Sequence, residues 1–379
     1  MILGSEMLDW NYRDKACIVG VGSTDYGVFP ETDAVGLGVS ALKAAVDDAG
    51  ISFDDIDGVI LNRLPYDRFA EVSNLNTPYL QSTPAHGRFS AIALMMAAEA
   101  IASGAATTIA LVYGNDGRSA AMKYGGDPNF WAPWGFTSPG ASHAMMFRRH
   151  MAQFGTTSED LAHIAVAFRD HATKNPAAVM KKPITVEDHQ NSRFICDPLH
   201  LLDYCLINDG GVAWIMTTPE RAKDMKKKPV YVSSFARQDD FSQNSLPPND
   251  YWYPALKKVE SQVYERAGIS RNDIDGLMIY DNFSPTVLFA LEGMGFCKQG
   301  EGGQFVRDGM LQLGKGRWPT NTSGGHLSES YMQGWALIVE GVRQLRGEVP
   351  AERQIKDAKA LQFILATAVA GSIIIRNDA

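Results

Sequence analysis

The sequence predicts an α/β protein made of two similar halves, and a repeated ten-residue motif is the first reason. The pattern Ala-Gly-Ile-Ser-x-x-Asp-Ile-Asp-Gly stands at residues 49–58 and again at residues 267–276. Each copy follows a segment with helical periodicity and leads into an apolar run. Helices that alternate with apolar strands favour sheets covered on both faces. The repeat therefore predicts a duplicated fold.

The first half supplies its elements in a regular order. Residues 16–21 predict a strand, 35–48 a helix, 59–61 a second strand, 90–103 an apolar helix and 108–113 another strand. The glycine of the motif follows the first helix directly, at the place where a residue with positive φ commonly ends a helix.

The second half repeats this order with different residues. Strands are predicted at 229–233, 277–279 and 361–368, and helices at 256–266 and 334–345. The same glycine again follows the first helix, and the same aspartates precede the next strand. The matching flanks make a chance repetition of the motif a poor explanation.

We divide the chain into an N-terminal half, 1–225, and a C-terminal half, 226–379. The first half carries an insertion at 117–205 that does not fit the repeat and includes the aromatic stretch 130–136. Two interpretations of this stretch stay open. It is either a surface subdomain that packs on its own aromatic rings or a lid over an apolar substrate.

Composition and charge exclude several classes of function. The net charge is -8, and no basic stretch exceeds the short run 226–228, which is too small for a nucleic-acid footprint. No apolar run reaches the roughly 18–20 residues of a membrane helix, and the N-terminus has no signal-peptide pattern. The 4 cysteines lack CxxC spacing and the histidines lack convincing metal spacing. We expect a cytoplasmic protein without a metal site of its own.

Several motifs resemble thiolases related to sterol carrier protein, and the resemblance extends over nearly the whole chain. Residues 161–198 resemble the loop domain of these thiolases. The other matches are the loops Asn208–Gly211, Tyr280–Ser284 and Asn321–Gly325. The resemblance implies a duplicated thiolase fold with five layers, αβαβα, and makes the insertion its loop domain.

The departures from the thiolase pattern concern the catalytic residues. The position of the nucleophilic cysteine, before the central helix of the first half, is taken by Gly87. Tyr331 replaces the histidine that follows the paired glycines, and no cysteine follows Cys297. Claisen chemistry through an acyl-enzyme therefore lacks its nucleophile and both of its usual helpers.

This pattern of losses resembles that of bacterial lipid-transfer-protein-type aldolases, which shorten steroid side chains. The segments Gly295–Gly303 and Leu327–Tyr331 also resemble this branch. The resemblance implies retro-aldol cleavage of a β-hydroxyacyl-CoA to a ketone and a short acyl-CoA, such as propanoyl-CoA or acetyl-CoA. It implies no covalent acyl-enzyme and no cofactor in this chain, the CoA thioester being the substrate. It also implies a homodimeric core and an OB-fold partner chain with a zinc ribbon.

Four residues are the predicted catalytic group. A retro-aldol step needs a base, donors for the enolate oxygen and an acid, and a tyrosine serves as acid or base when its pKa is lowered toward neutrality. The resemblance makes Tyr331 the candidate base, and Tyr280 the second acid/base group or the group that orients the first. Asp281 either tunes Tyr280 or makes local contacts. His326 either polarises the thioester carbonyl, relays a proton or faces solvent.

Five residues form the predicted substrate and CoA site. Gly324 and Gly325 allow a backbone to approach a ligand closely, and with the loop at Gly87 they are expected to supply donors to the enolate. Ser90, about one helical turn beyond Gly87, and Asn282 complete the set. Ser90 is also an alternative nucleophile.

Two other functions remain open at this point. One is a thiolase or acyltransferase with a relocated nucleophile, for which Cys205 and Cys297 are candidates; it requires free CoA. The other is a non-catalytic subunit that binds acyl-CoA or sterol without turnover.

Overall fold

The computed structural model describes residues 10–84, 89–122, 132–134, 136, 138–240 and 248–378. Its strands alternate with helices in both halves, as the sequence predicts. The strands are β1 (Cys17–Ser23), β2 (Gly58–Asn62), β3 (Tyr79–Thr83), β4 (Thr108–Asn115), β5 (Phe194–Cys196), β6 (Leu199–His200), β7 (Gly210–Thr217), β8 (Val230–Asp239), β9 (Gly276–Ile279), β10 (Ala360–Leu365) and β11 (Val369–Arg376).

The helices fall into the same two halves and the insertion. They are α1 (Ala34–Ala49), α2 (Tyr66–Ser73), α3 (Phe89–Ser103), α4 (Pro139–Phe154), α5 (Ser158–Thr173), α6 (Val186–Asn191), α7 (Pro219–Ala222), α8 (Tyr253–Ala267), α9 (Ser284–Gly293), α10 (Gly302–Arg307), α11 (Gly325–Ser328) and α12 (Trp335–Arg346). Within the described ranges, none of them is long and apolar enough to cross a membrane.

The two halves contribute separate parts of one hydrogen-bonded sheet. Across the described residues its order is β3-β2-β4-β7-β1-β8-β11-β10-β9, with the first five strands from the N-terminal half. The junction is narrow, because β1 and β8 pair only through Cys17 with Tyr231 and Ile18 with Val230. The sheet therefore consists of two half-sheets that share a short seam.

The helices and the two half-sheets form five layers, which pack against one another through three apolar cores. The central core holds α3 and α12 between the inner faces of both half-sheets, and the two outer cores hold α1 with α2 on one side and α8 with α9 on the other. In β4 the buried residues alternate, with Leu111 in the central core and Ala110 and Val112 in an outer core. Side chains that alternate between two covered faces produce the predicted αβαβα arrangement.

The repeated motif has the same geometry in both halves. Gly50 and Gly268 end α1 and α8 with φ values of 71° and 68°, a conformation that glycine adopts without steric cost. The carboxylates of Asp57 and Asp275 accept hydrogen bonds from the first amide of β4 and of β10, at 2.8 and 3.1 Å. The motif therefore joins each first helix to its half-sheet.

The predicted strand at 361–368 is too long. β10 ends at Leu365, the chain turns, and β11 returns antiparallel with Leu365 opposite Gly371. Both arms are buried and apolar, so the hydrophobic pattern does not mark the turn between them.

The edge of the C-terminal half-sheet differs from its counterpart. In the N-terminal half, β3 pairs with β2 in parallel over five residues. In the C-terminal half, a single parallel bridge between Leu277 and Thr320 stands at the corresponding place. The loop that begins at Asn321 therefore starts beside β9.

The insertion packs on the outer face of the C-terminal half. Phe147 of α4 and Phe168 of α5 lie in the same core as Phe289 of α9. Residues 130, 131 and 135 of the aromatic stretch lie outside the described residues, and Trp134 within it is 70% exposed. The choice between a lid and a subdomain therefore stays a prediction.

Candidate active site

Two loops of the C-terminal half meet at the end of β9 and bring the predicted catalytic residues together. Tyr280 and Asp281 follow β9 directly, and residues 321–331 lead toward α12. The side chain of Asn321 joins the two loops. Its Oδ1 accepts the N–H of Ile279 at 2.8 Å, and its Nδ2 donates to the carbonyl of Ile279 at 2.8 Å.

The two predicted tyrosines form one hydrogen-bonded pair. Their hydroxyl oxygens lie 3.0 Å apart. The ring of His326 lies edge-on to both rings, with centroid distances of 4.8 Å to Tyr280 and 5.2 Å to Tyr331. Tyr280 is buried and Tyr331 is half-buried, so Tyr331 is the more accessible of the two.

The surroundings of Tyr280 do not provide the lowered pKa that we expected of a tyrosine acid/base. Burial raises the pKa of Tyr280 well above its ordinary value, and the nearby Cys205 acts in the same direction. Tyr280 therefore stays protonated and is suited to donate a hydrogen bond to the oxygen of Tyr331. This geometry favours the orienting role over independent proton transfer.

The alternative in which His326 faces solvent is wrong, because the side chain is completely buried. Burial lowers the pKa of His326 to about 3. Its Nε2 accepts the N–H of Gly334 at 2.9 Å, so this nitrogen carries no proton to offer to a thioester oxygen. The ring therefore acts as a fixed wall of the site and holds Gly334.

Asp281 makes the local contacts that were one of its two predicted roles. Its carboxyl accepts the backbone N–H groups of His326 and Leu327 at 3.0 and 3.3 Å, which caps the short helix α11. Burial raises the pKa of Asp281 to about 8. One carboxyl oxygen lies 3.2 Å from Nδ1 of His326, yet burial favours the neutral form of both groups. We therefore treat this contact as one between neutral groups.

The paired glycines are required by packing within the protein. Gly324 and Gly325 have φ values of 110° and 60°, and a Cβ on them would lie 2.6 Å from Cβ of Ala172 and 2.3 Å from Oδ2 of Asp281. The close approach is to α5 and to the aspartate. Their predicted contact with a substrate stays a prediction.

The remaining predicted binding residues are placed unequally. Ser90 is buried in the first turn of α3, and a Cβ on Gly334 would lie 2.5 Å from its Oγ and 3.2 Å from the ring of Tyr280. Ser90 therefore lies next to the tyrosine pair. The carbonyl of Asn282 accepts the N–H of Cys205 at 3.1 Å. Gly87 lies outside the described residues.

Sequence reasoning did not assign Asn208 to the site. Its Oδ1 accepts the backbone N–H of Tyr331 at 2.8 Å, and its carbonyl accepts Nδ2 of Asn115 at 2.8 Å. Asn208 thereby ties the base candidate to the ends of β4 and β7 in the other half. The available signal was the Asn-Asp-Gly-Gly turn at the start of β7.

Glu329 is a second residue that the sequence reasoning passed over. Its buried carboxyl accepts hydrogen bonds from Oγ of Ser323 at 2.6 Å and from Nδ2 of Asn175 at 3.0 Å. Burial raises the pKa of Glu329 to about 7. It anchors the loop two residues before Tyr331 to the insertion.

The two candidate cysteines, Cys205 and Cys297, do not resemble activated nucleophiles. Burial raises the pKa of Cys205 and of Cys297 above the ordinary thiol value, whereas a reactive cysteine needs a lowered pKa.

Among the residues that the structure describes, no three His, Cys, Asp or Glu side chains group as metal ligands.

Comparison with known proteins places this geometry in context. Residues 242–373 match a family model described as thiolase C-terminal domain-like. The 17-hydroxy-3-oxo-4-pregnene-20-carboxyl-CoA lyase of Mycobacterium tuberculosis is 35% identical over 94% of this chain and 97% of its own. The steroid side-chain-cleaving aldolase of Thermomonospora curvata is 35% identical over 88% and 90%.

A solved structure described as Ltp2-ChsH2(DUF35) aldolase has a similar fold. It superposes with a TM-score of 0.88 at 33% identity, over 96% of this chain and 98% of the compared chain. The similarity covers both halves, including the insertion in the first.

Proposed function

Because the chain belongs to the thiolase superfamily, in the branch that includes the steroid side-chain-cleaving aldolases, we propose that it cleaves a β-hydroxyacyl-CoA by a retro-aldol reaction. The products are a ketone and a short acyl-CoA such as propanoyl-CoA or acetyl-CoA. The acyl group stays on CoA throughout, so no acyl-enzyme forms.

One observation carries this proposal. The hydroxyls of Tyr280 and Tyr331 lie 3.0 Å apart where the two loops meet. The thiol of nearby Cys205 and the more distant thiol of Cys297 both have raised pKa values. A pair of hydroxyls without an activated thiol is suited to proton transfer. It is not suited to acyl transfer through the enzyme.

The retro-aldol step needs no co-reactant, because one proton moves from the β-hydroxyl to the α-carbon. Tyr331, as the phenolate, takes the proton of the β-hydroxyl, and the Tyr280 hydroxyl stabilises that phenolate by donating to it. The oxygen forms the ketone as the bond between the α- and β-carbons breaks, and the electron pair moves into the thioester enolate. Tyr331 then returns the proton to the α-carbon. No water or free CoA is consumed.

The names of the relatives support a steroid substrate and a partner. Two of them are named for steroid side-chain cleavage or for a pregnene carboxyl-CoA, and the solved relative is named with a DUF35 chain. We extend both features to this chain. The substrate is a steroid side-chain CoA thioester, and the partner is an OB-fold chain with its own zinc ribbon, bound to a homodimeric core in the cytoplasm.

The test is a cleavage assay without free CoA. The chain is co-expressed with an OB-fold partner and supplied with a steroid β-hydroxyacyl-CoA, and mass spectrometry follows both products. We expect equal amounts of ketone and short acyl-CoA. Tyr331→Phe removes the base and should lower the rate by about 10²–10⁴-fold.

Tyr264→Phe is the matched control, because this buried hydroxyl donates to Gln362 at 2.8 Å in another part of the fold. It should retain the activity of the unaltered chain. Cleavage of a β-ketoacyl-CoA only after CoA is added would instead indicate a thiolase.

A further inference from the structure

A second polar cluster consists of His143, in the N-terminal part of α4, and Tyr204, and both pack against Phe283. His143 is 7% exposed. Its Nε2 and the hydroxyl of Tyr204 are shielded from water, and neither has a hydrogen-bond partner within the described part of the chain. An unpaired buried polar atom is destabilising, because it has lost its hydrogen bonds to water without a replacement. Two such atoms on side chains that pack against the same ring therefore call for an explanation.

Both rings pack against Phe283. The centroid of Phe283 lies 4.2 Å from that of His143 and 4.9 Å from that of Tyr204, and residues 204 and 283 form an antiparallel bridge. A Cβ on Gly140 would lie 2.4 Å from the Tyr204 hydroxyl. The backbone of α4 thus approaches this hydroxyl closely.

The cluster is joined to the active site through residues 204–207. The N–H groups of Cys205 and Leu206 donate to the carbonyls of Asn282 and His326, at 3.1 and 2.9 Å. Residues 204–206 are half-buried, and Ile207 is 44% exposed. This segment therefore runs from the protein surface to the two loops that carry the tyrosines.

The chemistry of the unpaired atoms identifies the missing partner. Nδ1 of His143 lies 2.8 Å from the carbonyl of Pro139, and a carbonyl can only accept, so Nδ1 carries the proton. Burial lowers the pKa of His143 to about 4, which keeps the ring neutral. Nε2 is then an acceptor that needs an N–H or O–H, while Tyr204 offers a donor. A secondary amide satisfies both atoms at once.

We propose that His143 and Tyr204 bind the amide of the pantetheine arm that lies nearest to the thioester. Nε2 of His143 accepts the amide N–H, and the Tyr204 hydroxyl donates to the amide carbonyl. This rests on the proposed function, because it assumes a CoA thioester. The three chain steps from Tyr280 to Phe283 span at most about 10 Å. Two carbons separate this amide nitrogen from the thioester sulfur. An amide bound beside Phe283 therefore leaves the thioester within reach of Tyr280.

The experiment removes the amide from the substrate and, separately, the imidazole of His143 from the protein. The same β-hydroxyacyl group is presented to the full-length chain and its partner as an N-acetylcysteamine thioester, which has the amide, and as a butanethiol thioester, which lacks it. For the unaltered protein, we expect kcat/KM to be about 10-fold higher with the amide. In His143→Phe, which keeps an aromatic ring beside Phe283, this preference should disappear.

Further variants separate recognition from folding. Tyr204→Phe should weaken the preference for the amide without abolishing it, and His143→Gln should restore part of it through its side-chain oxygen. Tyr264→Phe should keep the full preference. An unchanged amide preference in both His143→Phe and Tyr204→Phe would overturn the proposal.

A binding measurement keeps this test independent of turnover. Non-cleavable thioether analogues with and without the amide are titrated against the same proteins by calorimetry. If the unaltered protein cleaves nothing, the proposed reaction fails. An amide preference in binding that is lost in His143→Phe would still support this recognition site, and equal binding of the two analogues to the unaltered protein would contradict it.

Discussion

Replacement of Tyr280 by phenylalanine tests the division of labour between the two tyrosines. The change removes the hydroxyl that lies 3.0 Å from that of Tyr331 and keeps the ring that packs against His326. Burial keeps Tyr280 protonated, as its raised pKa indicates. The variant therefore loses the hydrogen bond that Tyr280 donates to the reacting oxygen.

The size of the effect follows from that one hydrogen bond. A hydrogen bond to a charged oxygen contributes about 1.5–3 kcal/mol, and about 1.4 kcal/mol corresponds to one pH unit. Tyr280→Phe should thus lower kcat about 10–100-fold near neutral pH. The acid limb of the pH–rate profile should move upward by about one to two pH units, so that activity recovers at high pH.

The assay is product formation without free CoA, measured between pH 6 and 10 for the unaltered chain, Tyr280→Phe and Tyr264→Phe. The control loses a buried hydroxyl outside the site and should keep the original profile. A Tyr280→Phe protein with an unshifted profile would refute the reasoning. So would a loss of the same size at every pH, because it would point to altered packing.

Three further predictions concern stability and the thiols. Gly325→Ala should lower the free energy of unfolding by more than about 2 kcal/mol and Gly104→Ala by about 1–2 kcal/mol. Both glycines have positive φ, but only Gly325 lies against Asp281. Urea denaturation measures both effects. Burial raises the pKa of Asp281 to about 8, so the folded state keeps this proton between about pH 4 and 8, and the free energy of unfolding falls as pH rises. Asp281→Asn should lose less stability than the unaltered protein between pH 5 and 8. An equal loss of stability would contradict this. Cys205→Ala should retain cleavage activity and iodoacetamide should not inhibit it, whereas inactivation would revive the thiolase alternative.

The fold was predictable because its signal is local and occurs twice. The motif around Gly50 and Gly268 specifies a helix end and the aspartate contacts that follow, and both copies adopt one geometry. The turn between β10 and β11 was not predictable, since Leu365 and Val369 are buried on both sides of it and the apolar pattern runs on. Hydrophobic periodicity reports burial, and it does not report a change of chain direction.

The site was predictable in its membership more than in its electrostatics. The loop motifs placed Tyr280, Tyr331, His326 and Asp281 together, and the structure brings them into contact. The protonation of these groups depends on burial and on partners from distant parts of the chain, such as the N–H of Gly334 on Nε2 of His326. Asn208 was missed for the same reason, because its contact with Tyr331 joins the two halves.

The most direct test of the central claim is intact-protein mass spectrometry during turnover of a steroid β-hydroxyacyl-CoA, with free CoA omitted. We expect continuous release of ketone and short acyl-CoA in equal amounts while the protein keeps its unmodified mass. A protein species heavier by the acyl group, or release that begins only when CoA is added, would contradict it.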